Sequence, residues 1–141
     1  MIATRSTEKI EHIYSRDPAI DAGSPSFDWQ RFLETGDRKH VPIKEGFTPT
    51  VFQLQRLTRK QLTRVLEAST AEHAAEAVSF ALKGIKDWGA PLDFKFAETR
   101  GDLGQRVHPE TIEKIFAIDL FAELGQRILE LSKLDPSVGQ G

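Results

Sequence analysis

Histidine and carboxylate side chains are the groups in this sequence that could hold a metal ion. The four histidines, His12, His40, His73 and His108, fall in four different segments. Only His73 has a carboxylate at helical spacing, because Glu76 lies three residues further on. A metal site needs about three protein ligands, so a small metal-dependent enzyme would require His73 and Glu76 to converge with another histidine. A solvated helix start is the favoured interpretation, and no metal ligand is assigned.

Nucleophilic and phosphate-binding motifs give no catalytic assignment either. The chain has no cysteine, which excludes disulfides, thiolate catalysis and cysteine-ligated zinc. No serine stands in a Gly-x-Ser-x-Gly turn. The stretch from Gly101 to Arg106 lacks the third glycine and the lysine of the phosphate loops, so we predict an exposed loop there. We expect a protein that is not an enzyme, with no catalytic residue and no cofactor.

The net charge and the length of the chain restrict the classes of partner that it can bind. The 141 residues suit a single domain, and 19 basic against 21 acidic side chains leave a net charge of −2, which argues against nucleic acid as the main partner. A basic group of Arg56, Arg59, Lys60 and Arg64 would contact DNA only as one exposed stripe. The nearby Glu67 favours a solvated face or a protein contact. No window reaches the roughly 18 apolar residues of a membrane span, so no membrane partner is expected.

Residues 1–49 are predicted to form an extended arm with one short amphipathic helix. Four of the seven prolines interrupt this segment. Trp29, Phe32 and Leu33 recur at helical spacing, and Phe47 is a further aromatic residue of the arm. Apolar side chains in an arm need a surface to cover them, so we predict that these four residues bind a partner protein. Residues 135–141 lose all periodicity and are predicted to be a flexible or partner-bound tail.

Residues 50–134 are predicted to be a compact α+β core. Phe52 and Leu54 alternate with polar residues, as in a half-buried strand. Thr58 to Gln61 fits a helix capping box, and Ser69 to Glu72 repeats it before a helix predicted to continue through Leu82 to Ile85.

The second half of this core shows the same two kinds of periodicity, that of a strand and that of a helix. Leu92, Phe94 and Phe96 alternate as a second strand, expected to pair with the first. A helix should run from Pro109 to Leu134, bent or divided at Asp119 or Gly125.

The fold class is therefore α+β: a small antiparallel sheet of two to three strands packed against three to four helices, with an extended N-terminal arm. Two short strands need a third partner, in the chain or from a neighbour. The segment 41–44 can supply it at a sheet edge, where Pro42 is tolerated.

Three segments of the chain resemble small structural or assembly proteins of tailed bacteriophages. They are the strand Val51-Phe52-Gln53-Leu54-Gln55-Arg56-Leu57-Thr58, the turn that ends in Trp88-Gly89, and the final helix, residues 120–134. The similarity covers about the last two thirds of the chain and excludes the proline-rich arm. It carries over no functional residue.

The resemblance implies a noncatalytic virion protein of the capsid, the neck or head–tail junction, or the tail. Such a protein would contact other phage structural proteins and copies of itself in a symmetric oligomer. It would lie in the host cell cytoplasm during virus assembly and then in the virion. A tail assembly chaperone, which holds tail subunits in an exposed apolar groove and is not retained in the virion, is the main alternative. The metal-dependent enzyme and a DNA-contacting connector protein are the others.

Overall fold

The computed structural model describes residues 9–99, 101 and 103–133. These residues form five α-helices and two small antiparallel sheets, so the predicted α+β fold is confirmed. In chain order the elements are β1 (Lys9–Ile13), α1 (Trp29–Thr35), β2 (Val51–Gln55), α2 (Arg59–Glu67), α3 (His73–Ala81), β3 (Leu82–Lys86), β4 (Phe96–Glu98), β5 (Gln105–Val107), α4 (Pro109–Ile115) and α5 (Ile118–Lys133). Short 3₁₀ turns at Arg38–His40 and Thr70–Glu72 precede β2 and α3.

The larger sheet has the order β1-β2-β3, with β2 in the centre. The predicted strand around Phe52 and Leu54 is confirmed, and both side chains are buried. Strand β1 pairs antiparallel with β2, so that Ile13 lies opposite Val51. A β-bulge interrupts the pairing of β2 with β3 where Gln53 faces Gly84. A Cβ atom at Gly84 would lie 2.6 Å from Gln53 Oε1, so glycine permits this close approach.

The predictions for the strands other than β2 were wrong. Leu92 and Phe94 lie in no strand, and Phe96 alone of the three predicted residues belongs to β4. Strand β4 pairs with β5 in a separate two-stranded sheet rather than with β2, both of whose edges are already occupied by β1 and β3. The helix predicted to continue to Ile85 ends at Ala81, and Leu82–Lys86 forms β3. Apolar residues such as Leu82 and Ile85 fit either element, so periodicity could not decide between them. Ile43 forms only an isolated bridge with Ile20, and the third strand is β1.

The capping box at the start of α2 is confirmed. The Thr58 hydroxyl accepts a hydrogen bond from the Gln61 amide at 3.2 Å, and Gln61 Oε1 accepts one from the Thr58 amide at 2.9 Å. The Gln61 side-chain amide also donates to the Leu103 carbonyl at 2.6 Å, which ties the helix start to the loop before β5. The prediction of a second capping box at Ser69 was wrong, because the Ser69 side chain makes no capping hydrogen bond.

The predicted C-terminal helix is divided, but at Phe116 and Ala117 rather than at Asp119 or Gly125. Phe116 has extended backbone angles (φ −63°, ψ 126°) that end α4, and α5 begins at Ile118. Gly125 instead lies where α5 packs on α3. A Cβ atom at Gly125 would lie 2.9 Å from the Cα atom of Ala74, so glycine allows the two helices to approach closely.

Residues 9–49 pack onto the rest of the chain and do not form a separate arm. β1 belongs to the main sheet, and a second hydrophobic cluster joins the segment to β2 through Ile13, Ile20, Phe32, Val41 and Val51. The main cluster fills the space between β2, β3 and helices α2, α3, α4 and α5. The predicted tail, residues 135–141, lies outside the described residues, as do residues 1–8. No helix in the described ranges is long and apolar enough to cross a bilayer.

Candidate protein-binding surface

An open groove lies between α3, β5 and α4. Its volume is about 490 Å³. Apolar side chains make up much of its wall, and the lining residues are Ala75, Glu76, Ser79, Arg106, Val107, Pro109, Ile112, Glu113 and Phe116. A groove of this size and composition can accept apolar side chains of a protein partner.

The junction of α4 and α5 presents two large apolar side chains, and one of them, Phe116, lines this groove. Phe116 is 54% exposed and Ile118 is 76% exposed, although both carry side chains that normally favour burial. The Phe116 ring is held edge-to-face against the buried Phe121 ring, with the ring centroids 5.0 Å apart. The helix break at Phe116 therefore places an ordered aromatic ring at the rim of the groove.

An ion pair lies in the wall of the groove. Arg106 donates to Glu76 Oε1 at 3.5 Å, and its guanidinium lies 5.3 Å from the centre of the Phe80 ring. The second carboxylate oxygen, Glu76 Oε2, is buried and has no hydrogen-bond partner. A bound peptide would therefore contact the groove mainly through apolar side chains that cover Ile112 and Phe116.

The four residues predicted to bind a partner fall into three different environments. Phe32 is 1% exposed and belongs to the second hydrophobic cluster, so its own chain already covers the ring and it is not available to a partner. Trp29 and Leu33 are half-buried and line a small cavity beside α5. Phe47 is exposed, with the Lys44 ammonium 5.8 Å from the centre of its ring. Partner binding stays a prediction for Phe47, Trp29 and Leu33.

A buried histidine joins the first strand to the last helix. His12 Nε2 lies 2.8 Å from Glu123 Oε2, which also accepts a hydrogen bond from the Ser15 amide at 2.9 Å. The Ser15 hydroxyl donates to the other oxygen, Oε1. Burial raises the pKa of Glu123, but the hydrogen bonds from His12 and Ser15 outweigh it and hold that pKa below its usual value.

The side chains that a metal-dependent enzyme would have required do not converge. His73 Nε2 lies 2.8 Å from the Ala68 carbonyl oxygen, Glu76 pairs with Arg106, and His108 caps α4 by accepting a hydrogen bond from the Glu110 amide. Within residues 9–99, 101 and 103–133, no group of three histidine, aspartate or glutamate side chains is placed to hold a metal ion.

The basic residues around the start of α2 do not form the exposed stripe that DNA binding would require. Arg56 is buried, whereas Arg59, Lys60 and Arg64 are exposed. Only three of the four basic side chains are therefore available to contact phosphate groups.

The groove was not predicted from the sequence, although one signal for it was present. The apolar positions Ile112, Ile115 and Phe116 lie on one helical face, whereas Leu120, Leu124 and Ile128 define a face that is rotated around the helix axis. A change of phase of this kind indicates a break between two helices. It would have placed the break near Phe116.

Comparison of the chain with models of protein families, with curated proteins and with solved structures finds no match.

Proposed function

We propose that this chain is a noncatalytic structural protein of a tailed bacteriophage particle and acts through protein–protein contacts. Its position would be in the capsid, at the neck or head–tail junction, or in the tail. Its partners would be other phage structural proteins and copies of itself. The protein would be present in the host cell cytoplasm during assembly and then in the virion.

The observation that carries the proposal is the groove lined in part by the exposed Phe116, together with the exposed Ile118 at the same helix junction. Covering a large apolar side chain contributes about 1.5 to 3 kcal/mol, so a partner that covers both residues gains several kcal/mol. Both side chains lie at a helix junction and not on a flexible loop, which suits a fixed contact. The phage setting rests on the sequence resemblance of the strand at Val51, the turn at Trp88 and the final helix.

The same groove supports a second candidate function, the tail assembly chaperone. A chaperone of this kind would hold a tail subunit through an exposed apolar groove and would be released before the particle is complete. The N-terminal segment does not separate the two functions, because residues 9–49 are packed against their own chain and need no neighbour to order them.

The test is a count of this polypeptide in purified particles by quantitative mass spectrometry, relative to the major capsid protein. A fixed ratio that matches a ring or a lattice supports the structural role. Abundance in the lysate with absence from particles supports the chaperone. Absence of any association with particles or their precursors in a particle-producing culture contradicts both.

A further inference from the structure

Phe47 differs from the other exposed apolar side chains of the described residues. The exposed large apolar residues there are Phe47, Leu66, Phe96, Phe116 and Ile118. Phe116 lines the groove at α4, and Ile118 lies at the same helix junction. Phe96 is 38% exposed and packs edge-to-face on Phe94, whereas Phe47 is 54% exposed and packs on no other aromatic ring of the described chain. Phe47 is therefore an aromatic side chain that its own chain leaves largely uncovered.

A short turn, residues 44–47, holds Phe47 in place, and we call it the Phe47 turn. The Phe47 amide donates a hydrogen bond to the Lys44 carbonyl at 3.0 Å, and Gly46 adopts the left-handed conformation of the turn (φ 80°). The Lys44 amide donates to the carbonyl of the buried Ala19 at 2.8 Å. Because the turn is already ordered, little conformational entropy is lost when a partner covers the ring.

The Phe47 ring has a positive charge beside it. The Lys44 ammonium lies 5.8 Å from the centre of the ring. Lys44 is exposed and forms no ion pair within the described residues. A surface that receives the Phe47 turn therefore has to offer apolar area for a ring and a carboxylate close to it.

The groove at α4 has this complementary arrangement. Ile112, Glu113 and Phe116 line it from α4, where residues three positions apart have Cβ atoms about 5 to 6 Å apart. Glu113 is exposed and forms no ion pair in the part of the chain that the structure describes. Glu76, the other carboxylate of the groove, is paired with Arg106. A carboxylate without a cation thus lies within one helical turn of an exposed aromatic ring.

We propose that the groove at α4 receives the Phe47 turn of a second copy of this chain. In this contact the Phe47 ring lies on Ile112 and Phe116, and the Lys44 ammonium pairs with Glu113. The 5.8 Å between ammonium and ring centre is similar to the spacing of Glu113 and Phe116 on α4. Since a cavity of about 150 Å³ holds benzene, the groove of about 490 Å³ has room for the ring and for the aliphatic stem of Lys44.

The other charges of the two surfaces are compatible with this contact. Glu45 is the acidic residue of the Phe47 turn, and it is exposed. Arg106 is the cation that lines the groove, and its side chain is 32% exposed beside Glu76. Its guanidinium has donors beyond the one that contacts Glu76, so it can also pair with Glu45. No lysine lines the groove, so Lys44 meets a carboxylate there and not another ammonium.

The contact joins two different surfaces of the chain, because neither Lys44 nor Phe47 lines the groove of its own copy. Each pair of copies therefore leaves one Phe47 turn and one groove free. Repetition of such a contact gives a ring if the rotation closes and a filament if it does not. The inference rests on the proposed function, since it names a second copy as the partner of the same groove.

Sedimentation velocity of the purified full chain, from about 10 µM to 1 mM at about 50 mM salt, tests the proposal. We expect the mean mass to rise with concentration and to pass that of a dimer. Phe47→Asp should weaken this association by about tenfold or more, because it places a carboxylate in an apolar contact. Leu66→Asp is the matched control, since Leu66 is also 54% exposed and does not line the groove, and it should leave the association unchanged.

Mixing two variants tests whether the contact is head-to-tail. Phe47→Asp keeps an intact groove, and Phe116→Asp keeps an intact Phe47 turn. Neither variant alone should associate, whereas an equal mixture should form a dimer and stop there, because only one contact can be made. If Phe116→Asp unfolds the protein, the exposed Glu113→Lys takes its place as the groove variant.

A charge exchange tests the pairing of Lys44 with Glu113. Lys44→Glu and Glu113→Lys should each weaken the association by about fivefold at low salt, because each places two like charges together. The double variant brings the opposite charges together again and should recover the affinity to within about twofold of the wild type. A structural defect at either position would not be repaired in this way.

Two results would overturn the proposal. One is a chain that stays monomeric up to about 1 mM. The other is an association that Phe47→Asp weakens no more than Leu66→Asp does, or that the double charge variant does not restore. The count of this polypeptide in particles separates this failure from failure of the proposed function. A monomeric chain present in particles at a fixed ratio would keep its structural role, with another particle protein as the partner of the groove.

Discussion

Replacing Glu123 with glutamine tests the contact that fastens the first strand to the last helix. Glutamine keeps the size of the side chain but removes its charge. Three hydrogen bonds, one from His12 and two from Ser15, then lose an ionised acceptor. A hydrogen bond to a charged group contributes about 1.5 to 3 kcal/mol and one between neutral groups about 0.5 to 1.5 kcal/mol. With Glu123 still 23% exposed, we expect Glu123→Gln to lower the free energy of unfolding by about 2 kcal/mol.

Asp119→Asn is the matched control. Asp119 lies on the same helix and pairs with Arg16 at 2.9 Å, but the two side chains are 68% and 72% exposed. Exposed pairs of this kind contribute about 0 to 1 kcal/mol, so the control should cost well under 1 kcal/mol. Urea denaturation followed by far-ultraviolet circular dichroism gives both values. Equal losses for the two variants would refute the idea that burial makes the Glu123 contact stronger.

The same variant should change the response to acid. The pKa of Glu123 is lower in the folded protein than in the unfolded chain, so the unfolded chain binds the extra proton first as the pH falls. The stability from this group is complete above the unfolded pKa of about 4.3 and is lost as the pH falls through the folded pKa. Glu123→Gln should therefore lose less stability than the wild type over this range. An unchanged acid slope would contradict the assignment.

Three further substitutions test other parts of the structure. Gly125→Ala should lower the free energy of unfolding by about 1 to 2 kcal/mol in urea titrations, although alanine favours helices, because its methyl group would meet the Ala74 backbone; no loss would contradict the close contact. Thr58→Ala removes the hydroxyl of the capping box and should cost about 1 kcal/mol by the same measurement. Ile118→Asp should leave the melting temperature within about 2 °C of the wild type, because Ile118 is exposed in the first turn of α5, yet lower incorporation into particles. Incorporation equal to that of a Leu66→Asp control would count against the α4–α5 junction as the contact.

The elements that were predicted correctly are those determined by residues close together in the sequence. The strand at Phe52 and Leu54 follows from alternation, and the start of α2 follows from the capping box at Thr58. The first strand was missed because Lys9–Ile13 carries few apolar side chains and buries His12. That burial depends on Glu123, which lies 111 residues away, so nothing in the local sequence reveals it.

The candidate binding surface was only partly predictable. An amphipathic helix at Trp29, Phe32 and Leu33 was correctly located in α1, but periodicity does not tell whether its apolar face meets another protein or the same chain. In the structure that face meets β1 and β2, and Phe32 is buried there. The groove at Phe116 forms where α3 meets β5 and α4, which lie more than 20 residues further along the chain, so only the break between α4 and α5 had a sequence signal.

Site-specific photo-crosslinking from position 118 tests whether the apolar surface at the α4–α5 junction contacts another protein. A photoreactive residue replaces Ile118 in the full chain, and a second version replaces Glu34, an exposed residue of α1 that does not line the groove. Both versions are irradiated in particle-producing cells and in purified particles. We expect a discrete product from position 118, joined to a particle protein or to a second copy of this chain, and no such product from position 34. The same products from both positions, or none from position 118, would contradict it.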